Sequence, residues 1–282
     1  MYQRRLLTKS NLGFLVRTQT TTRQTLSSRH RCSLNSPFTP PKMSTTTTAP
    51  PPSYPVQVHH YPSPTSPTRL VQTYQHLPLF TSPTPQQPAP QNALIFIGGL
   101  GDGPHTIPYP RRLAQHLFLT TPTLPPEQRY AVFEARLSSA FAGFGTASLA
   151  RDVAELRGLV RFLRRRRRPE EGGGGLGMRR VVLMGHSTGC QDCLAYAAAS
   201  REGGEGWEGA QVDGLVLQGP VSDREAIGMG EDEAEVKRAL EVAEGLVREG
   251  RGEVVMEREV MPKGWRDGPV TAYRWASLAG VG

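Results

Sequence analysis

The apolar positions of the chain fall into short runs and helical stripes that take turns along the sequence. Residues 56–60 and 70–74 alternate weakly between apolar and polar and are expected to pair as an edge hairpin. Residues 93–97 read Ala-Leu-Ile-Phe-Ile, a buried strand that runs into Gly98-Gly99-Leu100-Gly101-Asp102-Gly103. A helix is predicted over 109–118, with Pro110 tolerated in its first turn, then a strand at 130–133 and a loop at 138–145 holding two aromatics and two glycines. Leu149, Val153, Leu156, Val160 and Leu163 recur at steps of four and three, the apolar stripe of a helix that begins near Ser148. That assignment places Asp152 and Glu155 on its other face. Residues 180–184 and 212–217 predict two further strands around a helix at 190–199. Strands alternating with helices predict an α/β fold, a mostly parallel sheet covered on both faces. Val236, Leu240, Ala243 and Val247 mark an amphipathic helix in a strongly charged background, suited to a helical lid at about 222–250.

Composition changes this picture mainly at the N-terminus. No acidic residue precedes Asp102, and eight basic residues fall within residues 1–43, which equals the formal net charge of +8. From Asp102 onward 24 basic residues meet 25 acidic ones, so the folding region is near neutral and a general affinity for nucleic acid has no electrostatic support. Residues 1–42 are rich in Arg, Ser and Thr, the composition of a mitochondrial targeting peptide rather than a secretory signal. A disordered tail or a true start at Met43 accounts for them equally. The chain is therefore expected to divide into a basic, disordered segment at 1–55 and one domain at 56–282. No stretch approaches the roughly 20 apolar residues of a membrane span, and Cys32, Cys190 and Cys193 are too few for a disulfide framework. Arg164 to Arg168 reads as a helix C-terminus and a solvated loop, against the alternative of a nuclear-localisation or phosphate-binding patch.

Candidate chemistry sits at Gly185-His186-Ser187-Thr188-Gly189, between a strand and a helix. Gly-x-Ser-x-Gly at such a turn lifts a serine hydroxyl to the sheet edge, and its glycines avoid backbone that leaves no room for side chains. Ser187 is the candidate nucleophile. An oxyanion hole would combine the Thr188 amide with one from the glycine loop, from Leu100 or Gly99. The loop lacks the Lys-Ser/Thr of a phosphate loop and the Gly-x-Gly-x-x-Gly of a dinucleotide site, and no metal, nucleotide or flavin is called for. Cys190 and Cys193 form a Cys-x-x-Cys without a second ligand pair, expected to pack on one helix face.

Five segments, at 97–103 (IGGLGDG), 137–149 (LSSAFAGFGTASL), 185–192 (GHSTGCQD), 218–226 (QGPVSDREA) and 269–278 (PVTAYRWASL), together resemble the fungal siderophore esterase family of α/β hydrolases. The resemblance spans about Val56 to Leu278. It implies a cytosolic serine esterase with an α/β-hydrolase fold that opens ester bonds of a fusarinine-type siderophore through an acyl-enzyme on Ser187, with Leu100 and Thr188 as oxyanion donors. The implied partner is a small-molecule ester, and iron enters only as cargo of the substrate.

The departure lies after the nucleophile. In this fold an acid and then a histidine follow the serine, yet the last of the seven histidines is His186. The sequence thus reads as an α/β hydrolase incomplete at its C-terminus, with an exposed, aggregation-prone sheet. His105 is a weaker candidate base, and Asp223 is either a triad acid or the N-cap of the lid. Three functional classes remain: a serine esterase, an inactive relative that binds an ester-like ligand, and a nucleic-acid or membrane-surface protein using its basic segments.

Overall fold

A computed structural model describes residues 53–79, 88–166 and 174–280. The expectations for residues 1–52 and for Arg167 and Arg168 lie outside the described residues. Strands β1 (Val56–Ser63), β2 (Ser66–His76) and β3 (Asn92–Ile97) precede helix α1 (Tyr109–Thr120). Strand β4 (Tyr130–Ala135), helix α2 (Leu149–Arg164), strand β5 (Arg180–His186), helix α3 (Gly189–Glu202) and strand β6 (Gly214–Gln218) follow, and α4 (Asp223–Gly230), α5 (Glu233–Arg248) and α6 (Ala272–Ala279) close the order. The six strands make one sheet in the order β1-β2-β4-β3-β5-β6. The first three are antiparallel neighbours, and β4, β3, β5 and β6 are parallel. This is the mostly parallel α/β architecture that the alternating pattern predicts. The hairpin is longer than its apolar alternation implies, because cross-strand pairing carries β2 on to His76 opposite Val56.

The central strands read as continuous apolar runs because helices cover both of their faces. Ile95, Phe133, Val181 and Leu183 are fully buried and meet Leu156, Leu159, Val160 and Leu163 of α2. Each such side chain contributes about 1.5–3 kcal/mol on burial. Ser148 caps α2 by accepting the Arg151 amide at 3.3 Å.

Asp152 and Glu155, off the apolar stripe of α2, are both buried. Glu155 accepts the Ser138 amide at 2.7 Å and the Ser138 hydroxyl, and Ser139 hydrogen-bonds Asp152, so this face of α2 holds the 138–145 loop rather than water. Arg164 is likewise tied in. It pairs with Asp213 at 2.5 Å and donates to the carbonyls of Gln211 and Arg179, each at 2.9 Å, fixing the entries to β5 and β6.

The last three helices carry a second core in which α5 and α6 pack together around Ala239, Ala243, Trp275 and Leu278. Asp232 caps α5 through the amides of Ala234 and Glu235, at 3.0 and 3.1 Å. Among the described residues no helix is long and apolar enough to cross a membrane.

Strand β6 pairs only with β5 among the described strands, and Val216 and Leu217 stand exposed on it. An open edge with apolar side chains templates further strand pairing. We expect concentration-dependent self-association in sedimentation velocity, and expect Val216→Lys to shift the distribution toward monomer. Identical sedimentation of the two proteins would count against this edge as the contact.

Candidate active site

Strand β5 ends at His186 and α3 begins at Gly189, so Ser187 stands on the turn between them. Its φ is +53°, the left-handed region that a non-glycine residue rarely enters. The conformation is held from both sides: the Ser187 amide donates to the Gln218 carbonyl at 3.0 Å, and its carbonyl accepts the Cys190 amide at 3.1 Å. Three glycines are steric requirements of this turn. A Cβ on Gly185 would lie 2.4 Å from the Gly189 oxygen, one on Gly189 2.4 Å from the Gly98 oxygen, and one on Gly99 2.9 Å from the Ser187 Cβ. The glycine loop after β3 is therefore pressed directly against the serine.

Asp102 shapes that loop. Its Oδ2 accepts the Gly99 amide at 2.9 Å, while its own amide donates to the Gly99 carbonyl at 3.0 Å. The Gly99 N–H is thereby occupied. The amides of Leu100 and Thr188 have no acceptor among the described residues, so of the two loop amides in question Leu100 is the one left to donate.

Leu100 and Thr188 line a cavity of about 40 Å³ together with Asp152, Asp192 and Arg274. The two carboxyls are buried, and each leaves its Oδ1 without a partner among the described residues. Burial pushes the Asp192 carboxyl up to about 8, with the charge of Asp152 adding to the effect; Asp152 is pushed up to about 6, again chiefly by burial. Arg274, whose Nε donates to the Phe144 carbonyl at 2.9 Å, opposes both shifts. None of these three residues carries a motif that the serine turn announces. Only the matching 185–192 and 269–278 segments flag Asp192 and Arg274 in the sequence.

The other candidates lie elsewhere. His186 donates from Nδ1 to the Gln218 side chain, with its ring edge-on to Tyr109. His105 and His76 both meet Glu134, on β4. Asp223 occupies the first turn of α4, not the cap: Ser222 caps that helix by accepting the Glu225 amide at 3.4 Å. A Gln191 hydrogen bond engages Asp223, and burial raises its carboxyl above the ordinary range. Cys190 and Cys193 are free and buried, with Cys190 Sγ donating to the Gly185 carbonyl at 3.2 Å. Among the described residues, the one group of three or more His, Cys, Asp or Glu side chains close enough to share a metal ion is His76, His105 and Glu134.

Residues 52–282 match the family described as "Protein of unknown function (DUF1749)". The chain belongs to the DUF1749 family. It is 31% identical over 208 residues to the fusarinine C esterase sidJ of Aspergillus fumigatus, covering 68% of this chain and 52% of that protein. It is 32% identical over 155 residues to the esterase AN6793 of Emericella nidulans, covering 48% of this chain and 38% of the relative. The chain thus spans about half the length, or less, of these curated relatives. Among solved structures, the siderophore hydrolase EstB from Aspergillus fumigatus superposes with a TM-score of 0.54 at 25% identity, covering 83% of this chain and 66% of that one. The DUF1749 fold is that of the α/β hydrolases, and its named relatives are fungal esterases, as the five sequence segments imply.

Two outcomes follow from this geometry. Gly189→Ala should cost about 2–4 kcal/mol in urea unfolding, because the new methyl meets fixed backbone rather than a flexible side chain. Gly245→Ala, in α5 with open space around it, should stabilise by about 0.5–1 kcal/mol. Equal effects would show that the turn yields more readily than its contacts indicate. The second outcome concerns pH. The folded state keeps Asp192 protonated between its ordinary value of 3.8 and about 8, where the unfolded chain has released that proton. Stability therefore falls as pH rises through this window. Asp192→Asn should flatten the fall in denaturation midpoint between pH 5 and pH 9, and parallel pH profiles would contradict the assignment.

Proposed function

We propose that this chain carries the nucleophile and oxyanion donors of a serine esterase acting on carboxylic esters of the siderophore kind. The observation that carries the reading is Ser187, held at positive φ between β5 and α3, with the amides of Leu100 and Thr188 lacking an acceptor among the described residues. In this reading the Ser187 Oγ attacks the ester carbonyl carbon, and the oxygen that gains charge sits between the amides of Leu100 and Thr188. Collapse breaks the bond to the alkoxy oxygen, which leaves as the alcohol, and water then releases the acid from the acyl-enzyme. Such preorganised donors are worth about 3–4 kcal/mol each when removed one at a time. Substrates of siderophore type are inferred from the names of the fusarinine C esterase and of the siderophore hydrolase EstB.

The proton from Ser187 needs an acceptor. No histidine follows His186 in the 282 residues, and the nearest in sequence, His186 itself, is engaged with Gln218. The reading therefore assigns no general base within this sequence, and Asp223 keeps the role of acid only if a histidine comes to face it. The helices at 222–250 serve as the lid, and the domain runs from about residue 56 to 282.

A serine hydrolase stripped of triad members retains roughly 10³–10⁴-fold catalysis over water through its oxyanion hole and binding alone. The purified chain should accordingly hydrolyse p-nitrophenyl butyrate slowly, and peptide mass spectrometry of the quenched reaction should find the butyryl group on Ser187 and on no residue of a Ser187→Ala chain that keeps its fold by circular dichroism. A butyryl group carried by another residue, or none on a chain that is turning over, would sink the assignment.

A further inference from the structure

We propose that His76, His105 and Glu134 form a binding site for a divalent cation of the zinc class, a site separate from the serine chemistry. The three side chains arrive from different elements: His76 ends β2, Glu134 lies in β4, and His105 follows the glycine loop. Their donor atoms all lie within 4.8 Å of one another. Two neutral imidazoles and one carboxylate match the ligand preferences of zinc and of its neighbours in the divalent series.

Distances favour a small tetrahedral ion. Arms of about 2.0–2.1 Å at tetrahedral angles place neighbouring donors about 3.3 Å apart. His105 Nδ1 stands 3.3 Å from Glu134 Oε1, already at that separation. His76 Nε2 donates to the same oxygen at 2.6 Å, so an ion would replace this hydrogen bond and widen it by about 0.7 Å.

Burial and charge point the same way. The side chains of His76 and Glu134 are 2% and 3% exposed, whereas that of His105 is 41% exposed, leaving one open side for entry and for a water ligand. His76 Nδ1 has no partner among the described residues, so the ring's hydrogen bonding runs through Nε2 alone. Glu134 also lines the cavity that contains Asp102 and Asp152, where Arg274 is the one basic residue. Negative charge in excess of positive favours an added cation there.

The structural consequence is a staple. His105 has a φ of +69°, and its amide donates to Glu134 Oε2 at 2.6 Å. An ion bound by its ring would lock that strained residue, and with it the loop carrying the Leu100 amide, to β2 and β4.

The test uses the full chain after treatment with a chelator, with Zn²⁺ alone as the probe in titration calorimetry and Co²⁺ as a spectroscopic probe. We expect one tight equivalent of Zn²⁺, a rise in melting temperature with the metal, and intense visible Co²⁺ absorption of a tetrahedral site. His105→Ala, at the exposed member, should weaken Zn²⁺ binding at least 100-fold and abolish the Co²⁺ band, while His116→Ala should change neither. Glu134→Gln, which keeps the size of the side chain, should do the same as His105→Ala. If Glu134→Gln fails to fold, His105→Ala decides alone. Zn²⁺ affinity unchanged by His105→Ala, or the absence of any stoichiometric binding, would overturn the site and leave the cluster as a hydrogen-bonded clamp. Each readout is independent of ester hydrolysis, so failure of the esterase reading and failure of this one are distinguishable.

Discussion

Backbone packed against backbone at the end of the sheet is the constraint on which the rest of this structure depends. Where β5 turns into α3, the Gly189 position lies against the carbonyls of Ile97 and Gly98, and the Gly99 position lies against Ser187 itself. Parallel strands β3 and β5 pair in register from Asn92 opposite Arg180 to Ile97 opposite Gly185, and this pairing delivers both loops to the same edge. Neighbouring parallel strands end together, so the loops that leave them converge. A serine held at positive φ and a glycine loop pressed against it are thus parts of one steric arrangement. The buried apolar contacts of α2 and the central strands make that arrangement stiff.

Polar burial then gives the region its character. Asp152, Asp192 and Glu134 sit beneath or beside the turn in places where water is excluded. Removing carboxylates from water favours their neutral forms, which is why Asp192 and Asp152 rise while Arg274 only moderates the rise. Such groups cost stability unless a proton, a partner or a ligand compensates them. Asp152, Asp192 and Glu134 line the same cavity as Leu100 and Thr188, and this clustering of buried carboxyls supports the proposed site.

Elements set by apolar period were legible in the sequence, because period reports which face is covered. Strands β3 and β5, helix α2 with its Ser148 cap, and the serine turn could all be placed from spacing alone. Polar residues were harder. Period puts Asp152 and Glu155 off the apolar stripe but does not say that a loop, rather than solvent, meets that face. Leu100 and Gly99 differ as donors only because Asp102 folds back on Gly99, and no pattern of types announces that contact. His76 and Glu134 meet across 58 residues of sequence through the antiparallel pairing of β2 with β4, a register the weak alternation of the hairpin does not define. The helix cap fell to Ser222 rather than Asp223 by one residue, the usual uncertainty at a helix end.

The central claim is that the fold presents Ser187, and no other hydroxyl, as a nucleophile. It is tested most directly by treating the 282-residue chain with a fluorophosphonate and locating the adduct by peptide mass spectrometry. The account predicts a slow, single modification on the peptide containing Ser187, absent from Ser187→Ala. A folded chain that stays unmodified, or one modified at another residue, would contradict it.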